Sequence, residues 1–216
     1  MARPRGDIQP RIVGAARARF LAHGVDGASL REIARDAGTN IGMVVYYFPT
    51  KDDRFLAVVE EVYGGVVKDM TAILGVAGSA HERLRGAFVR LGHASDLEIE
   101  VIQLVAREAL GSSARLQRVL ARFMRGHLAL LTATIADGIK SGEFDRAIPA
   151  PLILVAVMGL GGAPQLARRA ARSIPLFAAL PGPEALADLS TAILFRAVGA
   201  PAKTGHPGAA TRKRRR

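Results

Sequence analysis

Residues 29–51 read SLREIARDAGTNIGMVVYYFPTK, two short helical patterns separated by a glycine and followed by adjacent tyrosines. The apolar positions of the first pattern recur at helical spacing on one face: Leu30, Ile33, Ala34 and Ala37. Ser29 precedes them and Glu32 follows three residues later, which is the spacing of a capping box. We therefore expect a helix from about residue 30, with the Ser29 hydroxyl accepting a hydrogen bond from an early backbone N–H.

The second pattern is shorter and is bounded by residues that start and stop helices. Gly38 tolerates the left-handed conformation that ends the first helix, and Thr39 and Asn40 then offer a new N-cap. Pro49 disfavours helical geometry at the residue before it, so the second helix ends after about two turns. Two short helices joined by a tight turn predict a helix-turn-helix whose second helix enters a DNA major groove, about 12 Å wide.

The same residues resemble the TetR (tetracycline-repressor-like) family of bacterial transcription regulators. The resemblance rests on positions that occur in register: Ser29, Ile33, Ala34, Ala37, Gly38, Gly42, Tyr47, Phe48, Pro49 and Lys51. Upstream positions resemble the family's first helix: Ile12, Ala15, Ala16, Phe20 and Gly24. The motif covers roughly the first quarter of the chain, and it implies a DNA-binding domain followed by a larger helical domain for effector binding and dimerisation.

Two positions depart from the family pattern. Val45 stands where the family often has a tyrosine, and we expect Tyr46 to take over that contact. Arg54 stands where a leucine usually begins the core face of the next helix. We expect Arg54 to be a surface residue here, with Phe55 and Val58 supplying the packing.

The composition favours helices and a cytoplasmic protein. Half of the 216 residues are hydrophobic, alanine, leucine and arginine are frequent, and no alternating pattern typical of strands occurs, so we expect an all-α fold. The chain has no cysteine, which excludes disulfides and thiolate metal sites and fits a reducing compartment. The amino terminus does not match a signal peptide, and the apolar run 148–160 is too short to span a bilayer.

The net charge of +11 favours a nucleic-acid partner and is concentrated at the ends of the chain. Residues 1–51 contain eight Lys or Arg against four acids, a net +4. Residues 201–216 contain six Lys or Arg and no acid, and we expect them to be a disordered basic tail. That tail is either a non-specific DNA tether or a solvated end. The basic arm of Arg3, Pro4 and Arg5 either reaches a minor groove or is likewise a frayed, solvated end.

Nine helices are expected, divided between a helix-turn-helix domain (1–52) and a helical effector-binding and dimerisation domain (53–200). The expected helices are 8–22, about 30–37, from about 41 to Pro49, a long connector after Lys51, 81–93, 97–110, 115–140, one from about 149 and 184–198. In the eighth helix we expect an interruption at Gly159, Gly161, Gly162 and Pro164.

Candidate DNA-binding residues lie on the second helix of the motif and beside it. We expect Thr39, Asn40, Met43 and Tyr46 to face the groove, since Asn pairs with adenine and Thr or Met contacts a thymine methyl. Tyr47 and Lys51 are predicted to contact phosphates, as are Ser29 and Arg31 at the start of the preceding helix. Adjacent tyrosines cannot both face the groove, so we expect Tyr47 to be partly buried with its hydroxyl outward.

The effector site and the dimer interface are predicted from the family resemblance. The family binds effectors among its middle helices, where the candidates are Phe88, His93, Gln103, Glu108, Phe123, Met124, His127 and Met158. Ordinary packing or surface exposure is the simpler explanation of each of these residues. The aliphatic composition favours a small hydrophobic effector, as in regulators of transport or drug-efflux operons. The last two helices form a four-helix dimer bundle in the family, and apolar residues suit this role here or complete a monomeric core: Val155, Leu160, Ala187, Leu189, Ala192, Ile193, Leu194, Phe195 and Val198.

No catalytic constellation or cofactor motif emerges. The five histidines are scattered, and residues 159–162 do not continue as a dinucleotide fingerprint after a strand. We therefore predict a protein that is not an enzyme and holds no cofactor or metal. The predicted function is a homodimeric, ligand-responsive repressor that binds a palindromic operator. The alternative is an architectural DNA-binding protein without an effector, whose binding would be salt-dependent and sequence-independent.

Overall fold

The computed structural model describes residues 8–111, 114–171 and 174–200. Within these ranges the secondary structure is ten α-helices and one short 3-10 helix at Pro175–Phe177, with a single isolated bridge between Phe144 and Gly199. The α-helices are α1 (Ile8–Gly27), α2 (Leu30–Asp36), α3 (Ile41–Tyr47), α4 (Lys51–Leu74), α5 (Ala80–Gly92), α6 (Asp96–Gly111), α7 (Ala114–Met124), α8 (His127–Ser141), α9 (Ala150–Ala170) and α10 (Pro183–Val198). The predicted all-α fold is confirmed, whereas the basic arm and the basic tail lie outside the described residues.

The first three helices and the start of α4 form a small domain around one apolar core, which we call the head. Its largest fully buried side chains come from all four helices: Ile12, Phe20, Ile33, Val44 and Phe55. The rings of Phe20 and Phe55 lie 6.2 Å apart, which ties α1 to α4. The helical part of α1 ends as expected at Gly24, whose φ of 72° is a left-handed conformation that suits glycine.

Two of the predicted caps have different outcomes. The Asn40 side chain accepts a hydrogen bond of 2.9 Å from the Met43 N–H, so the predicted N-cap of α3 is confirmed. The predicted cap at Ser29 is wrong, because its side chain makes no capping hydrogen bond. Glu32 lies 3.4 Å from Arg19 of α1 instead, so this carboxylate joins two helices rather than closing a capping box.

The expectation that Arg54 is a surface residue is also wrong. Only 7% of Arg54 is exposed, and its Nη1 donates a 2.8 Å hydrogen bond to the carbonyl of Phe48. Phe48 is the residue at the end of α3, where backbone carbonyls lack partners within the helix. Arg54 therefore stays in the core position and satisfies a buried carbonyl there. Burial lowers the pKa of its guanidinium.

The remaining helices form a larger body, and two of its predicted boundaries are wrong. The expected helix 115–140 is two helices, α7 and α8, bent by 48°. Gly126 at the bend is buried against the Tyr63 hydroxyl, where a side chain would clash. Conversely, α9 runs through Gly159, Gly161, Gly162 and Pro164 without interruption. Gly161 packs against the ring of Phe88, with 2.6 Å between that ring and an added Cβ, so close contact with α5 favours the continuous helix.

The continuous α9 corrects the expectation that this apolar region is too short to span a bilayer. By length and composition the 21 residues of α9 suffice for a membrane span, and only 22% of the apolar window is buried. One such helix is weak evidence for a membrane, because core helices of soluble proteins have the same character. Here α9 packs against α5, α8 and α10.

Candidate DNA-binding surface

A turn of defined geometry fixes α3 relative to α2. Gly38 has a φ of 61°, and the Thr39 N–H donates a 2.9 Å hydrogen bond back to the carbonyl of Ala34. Arg11 of α1 donates hydrogen bonds to the carbonyls of Ala37 and Gly38, the latter at 3.0 Å. Sequence reasoning missed Arg11, because its partners lie 26 and 27 residues away and no local pattern connects them.

One side of α3 is anchored in the head and the other is presented outward. Val44 is completely buried, whereas Ile41, Val45 and Tyr46 are 40%, 41% and 76% exposed. Gly42 is also exposed and lies one turn before Tyr46 on the same face. This presentation is what a recognition helix requires, since base edges are reached only from an exposed helix face.

The residues predicted to face the groove lie on α3 or directly before it. Asn40 and Tyr46 are exposed, and Thr39 and Met43 are half-buried. Tyr47 is half-buried against the head core, with its ring edge-on to that of Tyr46 at 5.3 Å. The predicted partial burial of Tyr47 therefore agrees with the structure.

The predicted phosphate-contacting residues lie at helix starts beside this face. At the start of α2, Ser29 is half-buried and Arg31 is exposed. Lys51 begins α4 and its ammonium donates a 2.7 Å hydrogen bond to the carbonyl of Asp26. This bond holds Lys51 against the end of the α1 segment, so its DNA contact stays a prediction.

Acidic groups of the head are held in ion pairs. Asp36 of α2 lies 2.6 Å from Arg19 and 3.2 Å from Arg35. The hydrogen bond from Arg19 lowers the pKa of this carboxyl, followed by that from Arg35. These pairs compensate Asp36 and engage Arg19 and Arg35 in turn, so they leave the net charge of the head unchanged.

A cluster of ion pairs connects the head to the body through Arg115 of α7, which is nearly buried. Arg115 contacts Asp26 of the α1 segment at 2.6 Å, Asp52 of α4 at 3.0 Å and Glu108 of α6 at 3.0 Å. The hydrogen bond from Arg115 to Asp26 is the main cause of the raised pKa of the guanidinium. One side chain thus joins four helices at the head–body boundary, and we call this group the Arg115 cluster.

The candidate effector residues are dispersed in the body. Phe88 is 2% exposed in the core, whereas Met124 and Met158 are 56% and 51% exposed. Gln103 is exposed on α6. His93 pairs with Glu184 at 2.6 Å, and Glu108 belongs to the Arg115 cluster. The structure therefore does not bring the whole set into one site.

Two of these candidates do lie together, at the bend between α7 and α8. The rings of Phe123 and His127 are 4.9 Å apart, and the Tyr63 hydroxyl lies 3.0 Å from Nδ1 of His127. The same hydroxyl accepts a 3.4 Å hydrogen bond from the His127 backbone N–H. Desolvation lowers the pKa of His127 to about 4, which keeps the imidazole neutral near pH 7.

A small apolar cavity lies elsewhere, between α5, α6 and α9. Its volume is about 40 Å³, and its lining is Leu91, Ile99, Ile102, Gly162, Gln165 and Leu166. A space of this size holds about one or two water molecules. None of the candidate effector residues lines it.

Comparison with known proteins agrees with this architecture. Residues 12–58 match the family described as "Bacterial regulatory proteins, tetR family". The fatty acid metabolism regulator protein of Bacillus subtilis is 26% identical over 153 residues, which is 68% of this chain and 76% of that protein. An HTH-type transcriptional repressor of Streptomyces coelicolor is 28% identical over 151 residues, covering 69% of this chain and 74% of that protein.

A solved structure is also similar over most of the chain. It is the transcriptional regulator FadR from Bacillus subtilis in complex with stearoyl-CoA, with a TM-score of 0.66 and 20% identity. The match covers 88% of this chain and 98% of that one. At this identity the structural likeness supports the fold.

The fold and the exposed α3 define a helix-turn-helix DNA-binding protein with a separate helical body. The family match at residues 12–58 coincides with α1, α2, α3 and the start of α4. Residues 12–58 are the DNA-binding domain of the TetR family of bacterial transcriptional regulators.

Proposed function

We propose that this protein is a homodimeric repressor that binds a palindromic operator and releases it when an effector binds the body. The presentation of α3 carries the proposal, because Val44 anchors the helix while Val45 and Tyr46 are exposed. Thr39, Asn40, Met43 and Tyr46 are proposed to contact bases, and Ser29, Arg31, Tyr47 and Lys51 to contact phosphates. A repressor acts on DNA within the cytoplasm, which is the proposed location.

An exposed apolar surface on the last two long helices supports dimerisation. Its large side chains are each more than half exposed: Leu152, Val155, Met158, Leu189 and Ile193. Helices α9 and α10 pack against each other, and we propose that these side chains act together as one surface, which we call the α9–α10 surface. Covering such a surface with a second copy removes apolar area from water. A two-fold dimer would place two heads in successive major grooves, about 34–36 Å apart.

For the effector we propose a coenzyme A thioester of a long-chain fatty acid. The support is the likeness to a fatty acid metabolism regulator and to a regulator solved with stearoyl-CoA. This replaces the transport or drug-efflux operon expected from composition with genes of fatty acid metabolism. The apolar cavity between α5, α6 and α9 is far too small for an acyl chain, so binding at this cavity requires α5, α6 and α9 to separate. Such a movement shifts the population toward head positions that no longer match the operator.

The experiment is selection of bound duplexes from a random DNA pool at about physiological salt, followed by sequencing, with and without stearoyl-CoA. An enriched inverted repeat that is lost when stearoyl-CoA is added supports the whole proposal. An inverted repeat that is insensitive to the thioester contradicts the proposed effector but supports the operator. Binding without an enriched sequence overturns the repressor in favour of an architectural protein, and a failure to bind DNA overturns both.

A further inference from the structure

Helix α3 is unusual for a DNA-reading element in that it contains no charged residue. Its sequence is IGMVVYY, and polar side-chain atoms occur only in the hydroxyls of Tyr46 and Tyr47. Arginine or lysine paired with guanine is the commonest specific contact in the major groove. No residue of α3 offers that contact, so the helix must discriminate bases by other chemistry.

The exposed face of α3 is apolar apart from one hydroxyl. Relative to the buried Val44, Gly42 and Tyr46 lie nearly opposite, with Val45 on one flank beside them. Ile41 lies toward the core on that same flank, yet 40% of it is exposed. The outward face of α3 itself therefore consists of aliphatic carbon, one aromatic ring with its hydroxyl and the bare backbone of Gly42.

Two polar groups next to this face, on Asn40 and Lys51, have other hydrogen bonds. The side-chain oxygen of Asn40 accepts from the Met43 N–H at 2.9 Å, which restricts Asn40 from turning fully toward a base. The ammonium of Lys51 is held 2.7 Å from the Asp26 carbonyl. Base readout by the Asn40 oxygen or the Lys51 ammonium would have to disrupt a helix cap or a tether, whereas the apolar contacts of Val45 and Tyr46 are available without rearrangement.

We propose that α3 selects its operator through the C5-methyl groups of thymine, with Ile41, Val45 and Tyr46 as the specificity-determining residues. The thymine methyl is the apolar group that the major-groove edges of the four base pairs display. The glycine at position 42 lets the helix backbone approach these methyls closely. The positive excess of the head supplies the sequence-independent attraction, and the methyl contacts supply the selection. This inference rests on the proposed binding of a specific operator.

The test uses synthetic duplexes of the selected operator in which each thymine is replaced in turn by deoxyuracil. This change removes one methyl and retains every hydrogen-bonding group. At contacted positions we expect affinity to fall by about 4-fold per methyl, the value of one buried methyl or methylene group. At other positions we expect no change.

Two protein variants test whether Val45 is responsible. Val45→Ala removes two methyl groups from an exposed position, and with it at least one contacted thymine should become insensitive to deoxyuracil. Val76→Ala is the matched control, since Val76 is 56% exposed in the turn after α4, and it should retain the full response. Replacing a contacted T·A pair by C·G should weaken binding, and 5-methylcytosine at that position should recover part of the loss.

The outcomes separate this inference from the proposed function. If the selection yields no preferred duplex, the proposed operator binding fails before thymine is tested, and this inference fails with it. If a preferred duplex is bound with unchanged affinity after every thymine has been replaced, the repressor proposal stands and the methyl readout is overturned. If deoxyuracil lowers affinity at the same thymines in Val45→Ala as in the wild type, Val45 does not contact those methyl groups and its role is overturned.

Discussion

At the scale of single residues, Arg54 has the clearest effect on the DNA-binding surface. It is a buried cation with one strong acceptor, the Phe48 carbonyl at the end of α3. Truncation to alanine leaves that carbonyl unpaired and opens space beside the head core. We expect Arg54→Ala to lower the free energy of unfolding by about 1–3 kcal/mol, measured by urea denaturation.

A leucine at position 54 separates packing from hydrogen bonding. Leucine fills the space but, like alanine, leaves the Phe48 carbonyl unpaired, so we expect Arg54→Leu to lose less stability than Arg54→Ala and the remaining loss to report the hydrogen bond. The exposed Arg125 provides a control, and Arg125→Ala should change stability by less than about 0.5 kcal/mol. Equal stability of wild type and Arg54→Ala would show that the bond to Phe48 contributes nothing.

His127 gives the body a pH dependence whose sign follows from its burial. Desolvation lowers its pKa to about 4 in the folded protein, against about 6.5 when unfolded. Between pH 6.5 and 4, His127 binds a proton in the unfolded chain but stays neutral in the folded protein. The free energy of unfolding therefore decreases as the pH falls from about 6.5 to 4. The loss is about 3 kcal/mol at most, followed as the free energy of unfolding across this range.

Two histidine variants test whether His127 causes this dependence of the free energy of unfolding on pH. His127→Gln should flatten the profile, since the side chain no longer titrates. His81→Gln changes an exposed histidine at the start of α5 and should leave most of the slope in place. A profile as steep in His127→Gln as in the wild type would assign the slope to other groups.

Residues such as Arg54 and His127 have environments that the sequence does not predict, because their partners are not set by a local pattern. The cap at Asn40 was predictable because donor and acceptor are three residues apart. The same local logic at Ser29 failed, because Glu32 instead lies 3.4 Å from Arg19 on another helix. Arg54 kept its core position because an acceptor at Phe48 makes burial of its charge tolerable. Only the folded chain reveals such a partner.

At the scale of helices, apolar periodicity predicted the elements well but not their breaks. The bend between α7 and α8 depends on Gly126 lying against Tyr63, a contact with no signature in the local pattern. The unbroken α9 depends on Gly161 packing against Phe88. Glycine thus ends a helix at Gly38 and permits close packing at Gly161, and tertiary contacts decide between these roles.

The Arg115 cluster is one of the contacts by which α7 and α6 hold the head, beside the ion pair of Arg17 with Glu100. Removing its guanidinium leaves three carboxylates in proximity at the junction of α1, α4 and α6. We expect Arg115→Met to lower the free energy of unfolding by about 1–3 kcal/mol, measured by urea denaturation at low and high salt.

A neighbour on the same helix is the control for the Arg115 cluster. Arg118 lies one turn later and pairs with Asp53 at 3.0 Å, but its side chain is 48% exposed. Solvent screens such a pair, so Arg118→Met should cost about 1 kcal/mol or less. If the two substitutions had the same effect, the nearly buried position of Arg115 would have no energetic significance.

At the scale of the whole molecule, the uncovered α9–α10 surface determines whether one head acts alone or two act together. Ile193 lies on this surface and is 53% exposed, so a charge there is compatible with the monomer but not with an apolar interface. We expect Ile193→Glu to convert a dimer into a folded monomer in sedimentation analysis. Operator affinity should fall by about 100-fold or more, since the second half-site no longer contributes.

The control for dimerisation places the same charge on a distant apolar residue. Val76→Glu lies in the turn after α4 and should leave both sedimentation and operator binding unchanged. Val155→Glu, on α9, should reproduce the effect of Ile193→Glu, because the two residues belong to the same surface. If both variants remain dimeric, the dimer interface lies outside the α9–α10 surface. Monomers that bind the operator with undiminished affinity would refute the requirement for two heads.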